Sequence, residues 1–128
     1  MSELINVLKT IPDLYSLQGV EIGEIDSAER ALNVVFSPDY REYLAEYGIA
    51  SANGHELTGI CASKRLNVVD VTLDQKARHS VPSSYYVVED ICVDDIVVWQ
   101  SADGSIYQSA PGCPPRKICS SLTEYIQL

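Results

Sequence analysis

The first third of the chain repeats apolar residues at the spacing of an α-helix. One apolar face consists of Leu4, Ile5, Leu8 and Ile11. Pro12 ends this first predicted helix, because proline cannot continue the backbone hydrogen bonding. Asp26 followed by Glu29 resembles a capping box and predicts the start of a second helix. The apolar stripe of that helix is Ala28, Ala31, Leu32 and Val35.

The next segment carries the clearest helix signal in the sequence. Ser37 is a good N-cap and Pro38 suits the first helical position, where its missing N–H costs nothing. The apolar positions that follow at helical spacing are Tyr40, Tyr43, Leu44 and Tyr47. Gly48 is expected to end the helix in a left-handed conformation. Asn53-Gly54 then predicts a turn, followed by a strand over His55–Ile60.

The second half changes from helical to β-type patterning. Leu66–Arg78 keeps a helical phase although its valines would suit a strand, and we predict a helix there. Three β-rich segments follow, at Tyr85–Ile91, Ile96–Gln100 and Ser105–Ser109. Asp103-Gly104 predicts a type I′ turn, so these segments should form an antiparallel meander.

The C-terminal part of the sequence predicts a loop and then a short helix. Pro111–Pro115 is expected to be a loop, since consecutive prolines cannot donate hydrogen bonds to a sheet. A closing helix should start near Ser121, with Glu124 as its capping partner. Its inward positions are Leu122, Tyr125 and Ile126. Helices, then strands, then a helix predict an α+β fold, with N-terminal helices packed on an antiparallel sheet and a short C-terminal helix.

Composition narrows the class of partner. The chain has 128 residues, and 18 acidic against 9 basic side chains give a net charge of −9. That length suits one domain over residues 1–128. The acidic balance argues against binding nucleic acid or an anionic membrane, both of which need clustered lysine and arginine. The N-terminus lacks the features of a signal peptide, so we expect a soluble, cytoplasmic protein.

No pattern in the sequence indicates catalysis, a cofactor or a metal. The four cysteines, at 61, 92, 113 and 119, form no C-x-x-C pair, and His55 and His79 lack ligand spacing. Phosphate loops, nucleophile elbows and H-E-x-x-H motifs are missing. A pair of one cysteine and one histidine is conceivable, but buried thiols are the more ordinary interpretation. We therefore expect a protein that is not an enzyme and that needs no cofactor.

The residues that carry the helix signals also resemble a known family. The stretch FSPDYREYLAEYG, residues 36–48, together with Ile25–Glu29 and residues 32–35, is similar to the SUKH superfamily of Smi/Knr-type proteins. Glu56–Ile60, the predicted meander and the last helix extend the resemblance over most of the chain from about residue 20. The resemblance implies an immunity protein that binds a cognate toxin domain, often a nuclease, and occludes its active site. The alternative that it implies is a Smi/Knr-like intracellular scaffold or regulator.

Two groups of residues are candidates for contacting such a partner. Acidic side chains surround the turns of the predicted meander: Glu89, Asp90, Asp94, Asp95 and Asp103. They are either an ordinary solvated edge or an acidic rim that attracts a basic partner. Aromatic side chains on the same strands offer large contact area: Tyr85, Trp99 and Tyr107. Both faces of the central strand are apolar, so the period does not tell which face is exposed, and the oligomeric state stays open.

Overall fold

A computed structural model describes residues 3–128, which leaves the first two residues of the predicted domain outside the described part. Within residues 3–128 the helices are α1 (Glu3–Thr10), α2 (Ile22–Leu32), α3 (Pro38–Glu46), α4 (Val68–Lys76) and α5 (Leu122–Ile126). The strands are β1 (Tyr15–Gln18), β2 (Tyr47–Ala52), β3 (His55–Glu56), β4 (Tyr86–Asp90), β5 (Val97–Gln100), β6 (Ile106–Ala110) and β7 (Cys113–Cys119). This order confirms the predicted α+β fold with its short C-terminal helix.

The strands form two antiparallel sheets. The first has the order β1-β2-β3 and the second the order β4-β5-β6-β7. The predicted meander is therefore confirmed, and β7 extends it by one strand. The predicted loop at Pro111–Pro115 is confirmed only as a turn at Pro111 and Gly112, and it is wrong for Pro114 and Pro115, which lie within β7. Two features accommodate them: β7 is an outer strand, and the pairing register shifts beside them, between Gln108 and Ala110.

The boundaries around α2 differ from the prediction. The helix is capped by Glu21, whose side chain forms the capping box with Glu24. It ends at Asn33, which has the left-handed φ of 54°. Asp26 therefore lies inside the helix rather than at its start. Val35 lies beyond the helix and is exposed, because the left-handed turn at Asn33 interrupts the stripe.

The cap of α3 is as predicted, but its end is not. The Ser37 hydroxyl accepts a hydrogen bond from the backbone N–H of Tyr40, and Pro38 occupies the first turn. Gly48 lies inside β2 instead of ending the helix. A Cβ there would lie 2.8 Å from the carbonyl oxygen of Gln18. Gly48 is thus explained by close strand packing rather than by a helix stop.

In the middle of the chain the predicted strand is shorter than expected, and the predicted helix is present. Only His55 and Glu56 of the predicted strand His55–Ile60 pair as β3. Beyond them Thr58 donates its backbone N–H to Val88, which joins this segment to the second sheet at 2.9 Å. The predicted helix in Leu66–Arg78 is present as α4, capped by Asn67.

Both faces of β4 and β5 are covered. The inner face of the meander joins the main core, where Val88, Val98 and Ile106 pack with the side chains of the helices. On the other face a second apolar cluster contains Val71, Val87, Val97 and Trp99. α4 contributes Val71 and packs along β4. The expectation that one sheet face is left open with Trp99 on it is therefore wrong.

Candidate partner-binding surfaces

The loop between β4 and β5 is a tight turn with carboxylates at its tip. Asp94 and Asp95 both have positive φ, 54° and 55°, and the Ile96 N–H donates to the Val93 carbonyl at 3.0 Å. This is the backbone pattern of a type I′ turn, which aspartate tolerates better than most residues. Cys92 is also left-handed, with φ of 62°. Three non-glycine residues held in this region make the loop a candidate for function.

The predicted type I′ turn at Asp103-Gly104 is a different turn. The Gly104 N–H donates to the Ser101 carbonyl at 2.9 Å. Gly104 has φ of 95°, but Asp103 does not have the positive φ that a type I′ turn needs at both central residues. A single glycine in the left-handed region after the turn explains the hairpin equally well. The hairpin is thus confirmed and its predicted type is wrong.

The acidic turn, defined as Asp90, Asp94 and Asp95, forms no ion pair among the described residues. Asp94 and Asp95 are exposed. The ion pairs formed within residues 3–128 involve other carboxylates. Asp90 accepts hydrogen bonds from the Cys92 N–H at 2.9 Å and the Gln75 amide at 3.3 Å. The turn therefore presents three carboxylates at one end of the sheet.

Arg65, whose pKa Asp90 also helps to raise, has a closer partner of its own, and so has Arg78. Arg65 forms two hydrogen bonds with the Glu56 carboxylate, at 2.6 and 3.0 Å. These bonds raise the pKa of Arg65 and lower the pKa of Glu56. Arg78 lies 3.7 Å from Asp74. Since each arginine is matched by a carboxylate, the local field stays negative.

Asp103 belongs to another part of the surface. β5 separates its turn from the acidic turn, and four strand residues at about 3.4 Å each span about 10 Å or more. The predicted single rim is therefore divided. Tyr85 and Tyr107 stack near Asp103, with ring centroids 4.6 Å apart. Burial, with the neighbouring Tyr107 and Asp103, raises the pKa of Tyr85 to about 12.

Glu89 is buried, which removes it from the predicted contact set. Its carboxylate accepts hydrogen bonds from the Tyr125 hydroxyl at 2.5 Å and from the Glu56 N–H at 2.7 Å. It also contacts His55 Nδ1 at 3.0 Å, and this hydrogen bond raises the pKa of His55. Glu89 thus joins β3, β4 and α5 in the interior. The sequence placed it in an acidic run and did not show these distant partners.

The prediction that Trp99 is an exposed contact residue is also wrong, because its side chain is fully buried. The indole N–H donates to the Ser109 hydroxyl at 2.8 Å. The same hydroxyl lies 2.8 Å from His79 Nδ1, and burial lowers the pKa of His79. Trp99 therefore anchors the second apolar cluster through a satisfied polar contact.

The residues of the family-like stretch build a buried polar network. Tyr86 donates to the Gln100 side chain at 2.7 Å, and Gln100 donates onward to Asp39 at 3.2 Å. Asp39 also accepts from the Ser37 hydroxyl and from the Leu122 N–H at the start of α5. Ser37 and Asp39 thus connect α3 to β4, β5 and α5, so we assign them to stabilising the fold rather than to contacting a partner.

A second exposed patch was not predicted from the sequence. Tyr15 and Leu17 in β1 and Ile22 at the start of α2 are large apolar side chains left exposed. Alternation of Tyr15 and Leu17 with Ser16 and Gln18 is a period-two signal that could have revealed the strand. Its four-residue length made that signal weak.

The described part of the chain contains no cluster of metal-ligating side chains and no membrane-spanning helix. In these residues no group of three or more histidine, cysteine, aspartate or glutamate side chains could hold a metal ion. The four cysteines, all inside that range, form no disulfides. No helix in residues 3–128 is long and apolar enough to cross a membrane.

Of the comparisons with known proteins, a family model agrees with the resemblance seen in the helical segment. None of the curated proteins compared with the chain matches it. A model of the family SUKH_5, described as SMI1-KNR4 cell-wall, matches residues 1–111. That match covers both sheets except for β7, and it includes Ser37, Asp39 and the acidic turn. The chain belongs to the SUKH (SMI1-KNR4) family.

Proposed function

We propose that this chain is an immunity protein, which binds a cognate toxin domain and neutralises it by occluding the active site. The observation that carries the proposal is the acidic turn, whose exposed carboxylates form no ion pair among the described residues. Family membership supports a binding role of this kind. The proposed action needs no cofactor and no chemistry of the chain's own, and we place it in the cytoplasm.

The acidic turn suits a basic partner for two physical reasons. Uncompensated charge on a chain of net charge −9 accelerates association with a basic surface through long-range attraction. The type I′ turn also holds Asp94 and Asp95 in one backbone conformation before binding, which reduces the ordering cost. A nuclease has a basic groove for phosphate, so it is the class of toxin that fits best.

A charge-reversal pair tests the proposal. The double variant Asp94→Lys, Asp95→Lys should slow association with the toxin domain about tenfold at low salt and reduce the salt dependence of the rate. The matched control is Glu3→Lys, Glu124→Lys, which makes the same change in net charge on α1 and α5. Stopped-flow fluorescence measures the rates, and co-expression measures protection of growth. Equal slowing in both double variants would mean that net charge, rather than the acidic turn, attracts the partner.

The description of the matching family favours one alternative, a scaffold or regulator that docks a resident protein of the same cell. Affinity capture followed by mass spectrometry separates the two functions. A toxin fragment among the captured proteins supports immunity, whereas a resident regulatory or cell-wall protein, with no rescue of growth by co-expression, favours the scaffold.

A further inference from the structure

The outer edge of the first sheet is apolar and uncovered. β1 is the terminal strand of the order β1-β2-β3, and within residues 3–128 no second strand pairs with it. Its side chains Tyr15 and Leu17 are 60% and 41% exposed, and Ile22 just beyond it is 69% exposed. An edge strand with apolar side chains can accept another strand, because its outer backbone groups are unpaired.

Leu17 and Ile22 lie beside the end of α3 and the start of β2, and Tyr15 precedes Leu17 on β1. Leu17 lies against Gly48, where an added Cβ would be 3.6 Å from the Leu17 Cβ. Gly19 packs so closely on α3 that a Cβ would lie 2.0 Å from the Ala45 carbonyl oxygen. Ile22 and Ala45 line the same depression of about 200 Å³. We call the surface formed by Tyr15, Leu17, Ile22 and Ala45 the β1 surface.

Charge around the β1 surface specifies the chemistry of its occupant. Glu42 lines the depression beside Ile22, Glu21 precedes Ile22, and Glu46 follows Ala45. Lys9 lies 3.7 Å from Glu46 and compensates one of these charges. Arg41, which also lines the depression, is engaged by Asp26 and Glu29 at 2.9 and 2.6 Å. The rim is therefore net acidic.

A second copy of the chain is a poor occupant. A two-fold dimer through β1 would bring the same acidic rim against itself, and like charges at an interface oppose association. An occupant with basic side chains is attracted by the acidic rim that repels a second copy. We propose that the β1 surface docks an extended segment of the toxin domain that carries both aliphatic and basic residues and pairs with β1. This inference rests on the proposed function and adds a second contact, distinct from the acidic turn.

The experiment uses the full chain and two probes. One is a fluorescent eight-residue peptide of alternating valine and lysine, with an alternating valine and glutamate peptide for comparison. The other is an inactivated toxin domain against which co-expression of the chain protects growth. The test variant is Leu17→Ser, Ile22→Ser, which leaves the charge unchanged, and the control is Leu73→Ser on α4, also exposed (55%). Circular dichroism melts verify that each variant folds.

We expect the lysine peptide to bind at least tenfold tighter than the glutamate peptide, and the double variant to lose at least tenfold for the lysine peptide and the toxin domain. Leu73→Ser should stay within twofold. Hydrogen exchange should show slower exchange of β1 amides in the complex. Equal peptide affinities, an unaffected double variant, or a dimer of the chain alone that Leu17→Ser dissociates would overturn the inference. Normal peptide docking without toxin binding would overturn the proposed function instead.

Discussion

The buried carboxylate of Glu89 should matter for stability rather than for the rate of partner binding. Three residues of two elements contact it: His55 and Glu56 of β3 at 3.0 and 2.7 Å, and Tyr125 of α5 at 2.5 Å. Hydrogen bonds to a charged group contribute about 1.5–3 kcal/mol each, but they are not additive. Glu89→Gln keeps the size while turning an NH₂ group toward donors. We expect it to lower the free energy of unfolding by about 2–4 kcal/mol.

Urea unfolding followed by the fluorescence of Trp99, the one tryptophan of the sequence, measures this loss. The control is Glu42→Gln, an exposed carboxylate on α3, which should change the free energy of unfolding by less than about 0.5 kcal/mol. A loss below about 1 kcal/mol for Glu89→Gln would refute the reasoning, because the three contacts would then be worth no more than contacts with water.

The same variant should change the pH dependence of stability. The hydrogen bond to Glu89 raises the pKa of His55, with burial acting in the opposite direction. A raised folded-state pKa means that protonated His55 stabilises the fold fully below the unfolded pKa, about 6.5. That stabilisation disappears as the pH rises through the folded-state pKa. The gap between the wild type and Glu89→Gln should therefore narrow with rising pH, and a constant gap would contradict the pairing.

Two further predictions concern packing and pH. Gly59→Ala should unfold the chain or cost more than about 3 kcal/mol, because its Cβ would lie 1.8 Å from the Gly48 carbonyl oxygen. Gly23→Ala in α2 meets nothing within 4 Å and should stabilise by about 0.5–1 kcal/mol, so thermal melts of the two should move in opposite directions. Burial lowers the pKa of His79, so its contribution is present above about pH 6.5 and is lost as the pH falls through the folded-state pKa. Relative to His79→Gln, which can still reach Ser109, the wild type should lose stability on acidification; equal acid sensitivity would contradict this.

Local signals in the sequence predicted the features that depend on one or two residues. Ser37 and Ser121 cap their helices as predicted, because each hydroxyl accepts a backbone N–H within the first turn. The meander was also predictable from three β-rich segments. β1 and β2 were missed, because their pairing joins Tyr15 to Ser51 across a helical hairpin and neither strand has a strong pattern.

The candidate site was predictable only in part, for a related reason. Asp94 and Asp95 are exposed as expected of charged turn residues. Glu89 looked the same in the sequence, yet His55 and Tyr125 lie 34 and 36 positions away and determine its burial. Trp99 was ambiguous because both faces of β5 are apolar, and only the packing of α4 decides that its face is covered.

The aromatic and capping residues of the family-like stretch are buried, whereas the two proposed binding surfaces are exposed, so partner choice can change without changing the core. Tyr40, Tyr43 and Ser37 of the family-like stretch are fully buried, so changes there act on folding. The acidic turn and the β1 surface share no residue with that stretch, apart from Ala45. Substitutions on these two surfaces should therefore alter binding while the free energy of unfolding stays nearly constant. If Asp94→Asn, which keeps a residue tolerant of positive φ, or Leu17→Ser instead changed stability and binding in proportion, the weaker binding would follow from unfolding, and neither surface would determine the partner.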